Sequence, residues 1–480
     1  MLPRRALFPT IMRREMESSP GFIPLNCVDK CLLALDGINE PMLIHTILSV
    51  QGEVDAARLN QAIVSAQQAH PVMRTILRSR NLRPFRQIQE GPGTGVLTIA
   101  DQAQLEDTDY ESYLSSWMNR PLNLKKDFPV RVLLLRKRGI ECLLVFTFHH
   151  SSADGLRALL FVRKVIESYN GQVSVGGRAD ASHPRNAGDI RINRKGDELL
   201  EFAHSQRPKV QHYYRKVMFN LFHRFVLCAL PPPARVFHDR SGQSRELRFC
   251  FEIINRRELE QIQLKAESAG VTLNDLLLAA GYRTVERWNS MHGKVSKKIR
   301  VMAPVNISPK GLRHVVSNQA SWLSLPTTRK DRTDAAELLR KVRADMIDAI
   351  MNRMAFSLVY FFYFCSCFPL FVMKEMCRFL ITTRIYVDTI LVTNVGFIWP
   401  KPGSEEAAVS TMGDARILNV TGSAPVVSPM GLSIAAGTYN KDLNFSLTYR
   451  PAFFSEEKAR MFLALYVEEI KNYPFGAQGA

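Results

Sequence analysis

The feature that most constrains this chain is the segment His149-His150-Ser151-Ser152-Ala153-Asp154-Gly155. An apolar, strand-like stretch (142–148) leads into it and a helix-like stretch (156–169) leads out. Successive side chains on a strand point to opposite faces, so the two histidines serve different purposes and only one faces a substrate. We assign that position to His150. Asp154 is a good N-cap residue, its carboxylate accepting a hydrogen bond from an otherwise unpaired amide. A helix beginning near Asp154 or Gly155 sets its positive end beside His150 and favours the neutral imidazole that a general base requires. Imidazole titrates close to neutrality even when unperturbed. A turn and a cap beside two incidental histidines is the plainer alternative.

The segment resembles the HHxxxDG signature of the chloramphenicol acetyltransferase-like acyltransferases. That superfamily includes condensation domains of nonribosomal peptide synthetases, wax ester synthase/diacylglycerol acyltransferases and polyketide-associated acyltransferases. The resemblance implies an α/β fold of two chloramphenicol acetyltransferase-like sandwich lobes with the active-site channel between them. It also implies direct acyl transfer from a thioester, on coenzyme A or on a carrier-protein pantetheine, to a hydroxyl or amine, with no acyl-enzyme. His150 is then the catalytic base, and His149, Asp154 and Gly155 support the motif. Gly155 lets the backbone turn where a side chain would obstruct the channel.

Further segments resemble the superfamily in the same order. His70-Pro71-Val72-Met73-Arg74-Thr75 resembles its H-x-x-L-R-T segment, which assigns Arg74 as partner of the motif aspartate, although Ala69 stands where a further Arg is common. Arg120-Pro121-Leu122-Asn123-Leu124 resembles the stretch before the catalytic strand. Asn274-Asp275 resembles the "ND" segment of wax ester synthase-like enzymes, against a capped amphipathic helix as the alternative. Val305-Asn306 and Ser317-Asn318-Gln319 resemble second-lobe segments. Thr393-Asn394-Val395-Gly396 resembles the segment at the interlobe crossover. Thr393, Asn394, Gly396 and Asn274 are therefore candidate substrate-binding residues, with a plain Asn-Val-Gly turn as the alternative for the crossover.

A chain of 480 residues is too long for one compact core. We expect a basic extension over 1–20, a first lobe over 21–175, a connection or insertion over 176–240 and a second lobe over 241–480. Tyr169-Asn170-Gly171 stops the helix after the motif. Near the end, Leu443, Phe445, Leu447 and Tyr449 alternate with Asn444, Ser446 and Thr448, the period of a half-buried strand. Asn440-Lys441-Asp442 turns the chain between that strand and the one before it, and Ser455 caps a final helix.

The net charge of +18 suits coenzyme A phosphates, an acidic carrier protein or an anionic membrane surface. Nucleic acid is not expected as a partner, since no pattern of the known nucleic-acid-binding motifs stands out. The cysteines lack the paired spacing of a zinc site and read as buried free thiols. No metal or redox cofactor is expected, the acyl thioester being a substrate.

Residues 354–373 contain no charge and are rich in Phe, Leu, Tyr and Val. A membrane span needs roughly 20 such residues. Pro369 interrupts the run, and a span there would put Asn318 and Asn394 on opposite sides of a membrane. A buried helix pair or an apolar wall of an acyl channel is favoured over a membrane-dipping surface. Either suggests a hydrophobic, lipid-like substrate and a cytoplasmic protein with possible peripheral membrane contact. The expected partners are an acyl thioester donor, a small-molecule or lipid acceptor and, in one version, an acyl or peptidyl carrier protein. Two alternatives stand beside the acyltransferase: a stand-alone condensation enzyme forming an amide, and a non-catalytic binding protein that keeps the fold.

Overall fold

The computed structural model describes residues 21–38, 40–91, 95–102, 110–137, 139–171, 198–205, 232–308, 314–383, 388–399, 409–427 and 430–475. The basic extension and most of the expected connection between lobes lie outside them.

Fifteen strands are described: β1 (Phe22–Ile23), β2 (Leu43–Gln51), β3 (Thr75–Arg80), β4 (Arg83–Ile88), β5 (Leu97–Asp101), β6 (Val130–Arg136), β7 (Glu141–His149), β8 (Arg248–Ile254), β9 (Lys298–Asn306), β10 (Ala320–Thr328), β11 (Ile390–Phe397), β12 (Thr411–Met412), β13 (Ala415–Ser423), β14 (Leu432–Tyr439) and β15 (Asp442–Tyr449). They form two six-stranded sheets, ordered β12-β13-β2-β7-β6-β5 and β10-β9-β11-β14-β15-β8, and a small sheet β1-β4-β3.

The first sheet is centred on β7, whose run Cys142 to His149 is buried throughout. Such a run suits a strand covered on both faces. The helices Ala56–Ala69 and Gly155–Tyr169 pack over one face through Leu59, Ile63, Phe161 and Val165. Trp117 and Met118 of the Tyr110–Asn119 helix meet Leu133, Leu143 and Val145 on the other. β2 and β6 pair antiparallel with β7, setting Leu43 opposite His149 and Val130 opposite Phe148.

The second sheet carries the helices Arg256–Ser268, Leu273–Met291, Ala335–Met351 and Glu456–Lys471 over one core, in which Trp288, Tyr282 and Tyr466 are buried. Its β11 runs parallel to both neighbours, β9 and β14. Both six-stranded sheets are thus α/β layers, the expected pair of sandwich lobes.

The halves also exchange chain. β13 leaves the second half, pairs antiparallel with β2 and brings β12 with it to the edge of the first sheet. Position in the chain alone places both strands with the second lobe.

The local punctuation reads as expected. Asp154 caps Gly155–Tyr169, and Gly171 follows its end at φ +70. Asn440 and Lys441, both at positive φ, close the β14–β15 hairpin, the conformation a tight two-residue turn requires. Ser455 Oγ accepts from Lys458 N at 3.3 Å to cap the last helix.

The uncharged run becomes two helices, Ala355–Cys365 and Leu370–Thr382, with Pro369 at the N-cap of the second. Among the described residues no helix is long and apolar enough to cross a membrane. The pair is not wholly buried. Phe356, Leu358, Val359 and Phe362 face inward, whereas Phe364, Phe371 and Phe379 are 61%, 62% and 61% exposed.

Candidate active site

His149 and His150 leave the end of β7 in opposite directions. His149 is buried; its Nδ1 accepts from the backbone N–H of Ser151 at 3.2 Å, and its Nε2 points at Asp36 Oδ2, 3.4 Å away. The Asp36 carboxyl is held below its ordinary value: burial raises it, but His149, the Met42 N–H and Lys374 outweigh that. His149 therefore ties the strand end to the residue that follows the Cys27–Leu35 helix.

His150 borders a cavity of about 230 Å³ between the two lobes. Its Nδ1 lies 3.0 Å from the carbonyl oxygen of Ala153. Asn318 Nδ2 lies 3.3 Å from the same nitrogen, but the Ala153 carbonyl is nearer and can only accept, so Nδ1 carries the proton and Nε2 keeps its lone pair. Among the described residues no hydrogen bond occupies Nε2. Burial lowers the imidazole pKa below its ordinary value, His149 adds to this, and the Ala153 carbonyl and Asp154 carboxylate oppose it without prevailing. The ring is thus neutral at neutral pH. Burial, and not the helix end that the sequence suggests, is the main cause.

The Asp154 side chain joins the lobes. Oδ1 accepts from Arg157 N at 3.0 Å in the helix cap, and Oδ2 accepts from Gln319 N of the second lobe at 2.8 Å. Arg157 reaches the same lobe, donating to Gln319 Oε1 at 3.1 Å and to Ser308 Oγ. Asn318 Nδ2 donates to the His150 carbonyl at 2.8 Å. The second lobe thereby fixes the loop that carries the imidazole. In the sequence Asn318 and Gln319 stand out only as part of a resembling segment.

Arg74 does not pair with Asp154. Both carboxylate oxygens are taken by backbone N–H groups, and Arg74 lies in a short 3-10 turn, Pro71–Arg74, where its carbonyl accepts from Gln89 N. The arginine that holds the motif is Arg86 on β4. It donates to the Ser151 carbonyl and pairs at 2.9 Å with Asp29, both side chains being buried. Burial raises the Asp29 carboxyl above its ordinary value against the pull of Arg86. The one available signal was Asp29 itself, an acid within the apolar helix sequence CVDKCLLAL, which demands a partner when buried.

Gly155 borders the cavity as the first residue of its helix, where a Cβ would meet Val395 Cγ1 at 3.4 Å. Its backbone is ordinary and that distance is ordinary van der Waals contact, so the local geometry demands no unusual turn at this glycine. On β11, Leu391, Thr393 and Val395 border the cavity, as alternate residues of a strand should. Asn394 and Gly396 do not. Asn394 Oδ1 accepts from Gly396 N at 2.9 Å, Gly396 sits at φ +75, and the β11–β14 register shifts there, so the two residues build a bulge. Asn274 is likewise away from the cavity. It lies in the first turn of a helix whose capping box is made by Thr272 and Asp275, with Arg343 paired to Asp275 at 3.0 Å.

The cavity is mostly apolar and reaches the aromatic wall. Phe361 and Phe362 border it together with Cys377, Leu380 and Ile381 from the next helix. One cavity therefore contains both the imidazole and part of the uncharged run. Cys27, Cys31, Cys142, Cys250 and Cys365 are buried free thiols, whereas Cys367 is exposed.

Residues 35–183, which include the histidine motif, match the condensation domain family, and residues 316–468 match the WS/DGAT C-terminal domain family. The chain belongs to the chloramphenicol acetyltransferase-like acyltransferase superfamily. An uncharacterized protein of Mycobacterium tuberculosis is 25% identical over 291 residues, covering 59% of this chain. The match spans 62% of that relative's length. Among solved structures, the first condensation domain of the CDA synthetase matches with a TM-score of 0.68 at 15% identity, over 97% of this chain and 98% of the other. The starter condensation domain of rhizomide synthetase, solved as a mutant in complex with C8-CoA and Leu-SNAC, matches with a TM-score of 0.64 at 13% identity, over 98% of each chain. At such identities these two structures speak for the superfamily's fold.

Proposed function

We propose that the protein transfers an acyl group from a thioester to a hydroxyl acceptor, with His150 as general base. The observation that carries this reading is an interlobe cavity in which a neutral imidazole is free at Nε2 and an aromatic wall lies along the same space. His150 Nε2 takes the proton of the acceptor hydroxyl as its oxygen attacks the thioester carbonyl carbon. The C–S bond then breaks, the ester departs, and the imidazolium returns its proton to the thiolate. Proton transfer of this kind contributes about 10²–10⁴-fold to a rate. Thr393, which borders the cavity, donates its hydroxyl hydrogen to the carbonyl oxygen as charge develops there. No acyl-enzyme and no redox or metal cofactor enter this scheme.

The apolar lining supports a hydrophobic acyl chain, and the match of residues 316–468 to the WS/DGAT C-terminal domain supports a hydroxyl over an amine acceptor. The match of residues 35–183 to the condensation domain supports the amide-forming alternative with a carrier-bound donor. Phe364, Phe371 and Phe379 project from the outer faces of the helices that wall the cavity, which suits delivery of an apolar acceptor from a lipid surface.

The test is thiol release from octanoyl-coenzyme A and from an octanoyl carrier protein, each with an alcohol or an amine present. Release that needs an alcohol and proceeds with coenzyme A supports the reading. Release only from the carrier with amine favours the condensation alternative, and none with any pair removes the enzymatic reading.

A further inference from the structure

Strand β15 carries Asn444, Ser446 and Thr448 on one face, alternating with Leu443, Phe445, Leu447 and Tyr449 on the other. Alternation of this kind predicts a polar face turned to water. The structure buries both faces: Asn444, Ser446 and Thr448 are 3%, 2% and 1% exposed. The polar row packs against the crossover strand β13, where Ser446 Oγ donates to the Gly422 carbonyl. Asn444 and Ser446 border the interlobe cavity with Thr421 of β13.

Three side-chain oxygens of this group, Asn444 Oδ1, Thr421 Oγ1 and Thr448 Oγ1, lack a hydrogen-bond partner among the described residues. Those of Asn444 and Thr421, unlike that of Thr448, belong to residues bordering the cavity. Asn444 Nδ2 lies 3.4 Å from the Asp442 carbonyl, an acceptor, which fixes the amide so that Oδ1 is the end without a partner. Buried polar atoms are normally paired, and an orphan beside a cavity needs a reason. Gly437, directly across from Asn444 on β14, keeps that wall tight: a Cβ there would stand 2.8 Å from Ile398 Cδ1 and 2.9 Å from Val395 Cγ2.

We infer that Asn444 and Thr421 form a second polar pole of the cavity, which binds a hydroxyl group on an otherwise apolar substrate. An acceptor such as Asn444 Oδ1 needs a proton donor, which excludes carbonyl, ether and carboxylate groups. An ammonium group would need a free carboxylate. Two carboxylates border the cavity, and both are taken: Asp154 by Arg157 N at 3.0 Å and Gln319 N at 2.8 Å, Asp388 by Arg300 Nε at 2.9 Å and Ser324 Oγ at 2.8 Å. A hydroxyl is uncharged, donates to Asn444 and accepts from Thr421. The pole deepens the acyl-transfer reading, on which it rests only for the presence of an apolar substrate in the cavity.

The test is calorimetric binding, which needs no turnover. One arm compares decanoyl-coenzyme A with its β-hydroxy and ω-hydroxy forms, and the other compares decanol with decanediols. The wild type should bind a hydroxylated probe about tenfold or more tightly than its plain partner in one arm. The arm that shows the preference assigns the hydroxyl to the donor or to the acceptor. In Asn444→Leu and Thr421→Val the ratio should fall to near one. Thr421→Val, nearly isosteric, keeps the test open should the first variant not fold. No preference in either arm, or a preference unchanged in both variants, overturns the inference. Absent thiol release with the preference intact would remove acyl transfer and leave the pole standing.

Discussion

Removing the Asp154 carboxylate should reveal the joint between the lobes. Asp154→Ala deletes the helix cap accepted from Arg157 N and leaves Gln319 N, now deeply placed, without an acceptor. Loss of an N-cap costs about 1 kcal/mol, and an unsatisfied buried donor about 1–3 kcal/mol. The sum predicts destabilisation of roughly 2–4 kcal/mol, read as a fall in the urea midpoint with little change in slope. Asp154→Asn keeps one carbonyl oxygen for two N–H groups and should lose about half as much. An Arg74–Asp154 ion pair would instead show as coupling. With no contact between them, the double mutant with Arg74→Ala should be additive within about 0.5 kcal/mol. A cost below about 1 kcal/mol for Asp154→Ala, or coupling well above that limit, would refute the reasoning.

Because burial depresses the His150 imidazole, kcat/KM should climb as pH rises through an apparent pKa below about 6.5 and then level off; a limb centred above that value contradicts the assignment. His45 is buried with its Nδ1 2.9 Å from Thr147 Oγ1, and burial, aided by Arg131, lowers its pKa to about 3. A folded-state value below the unfolded one gives stability that is complete above about pH 6.5 and lost as pH falls, by about 1.4 kcal/mol per unit. His70, lowered to about 4 by burial, adds to the same loss, so the unfolding free energy from denaturant titrations should fall more steeply than that below about pH 6.5. His45→Gln should reduce the slope by about 1.4 kcal/mol per unit; an unaltered slope would contradict the assignment. The outward phenylalanines should carry the protein to anionic lipid vesicles in a sedimentation assay, and replacing Phe364, Phe371 and Phe379 with Ser should release it. Equal sedimentation of the wild type and the triple variant would remove the membrane element.

What the sequence revealed was local. The strand, the paired histidines, the Asp cap and the helix after it sit within thirty consecutive residues, roughly one supersecondary unit. The β14–β15 hairpin and the Ser455 cap are likewise set by neighbours in the chain. The failures are contacts between distant segments. Arg86 lies on a strand of the small sheet and Arg74 just before another, and only the fold brings Arg86 to Ser151 and Asp29. Asn394 and Gly396 belong to a β-bulge, so Thr393 and Val395 hold the cavity positions. The polar row of β15 was expected to face solvent because alternation reports two unlike faces, whereas it cannot report that β13 returns from the second half to cover one of them.

The central claim concerns which of two adjacent imidazoles performs the chemistry, and paired substitutions test it most directly. Thiol release from an acyl-coenzyme A in the presence of an alcohol should fall by about 10²–10⁴-fold in kcat/KM for His150→Ala, with a folded protein. His149→Ala, which removes the contacts to Asp36 and Ser151, should show mainly lowered stability, with turnover falling far less. Near-wild-type release by folded His150→Ala, or a larger loss of turnover at His149, would contradict the account.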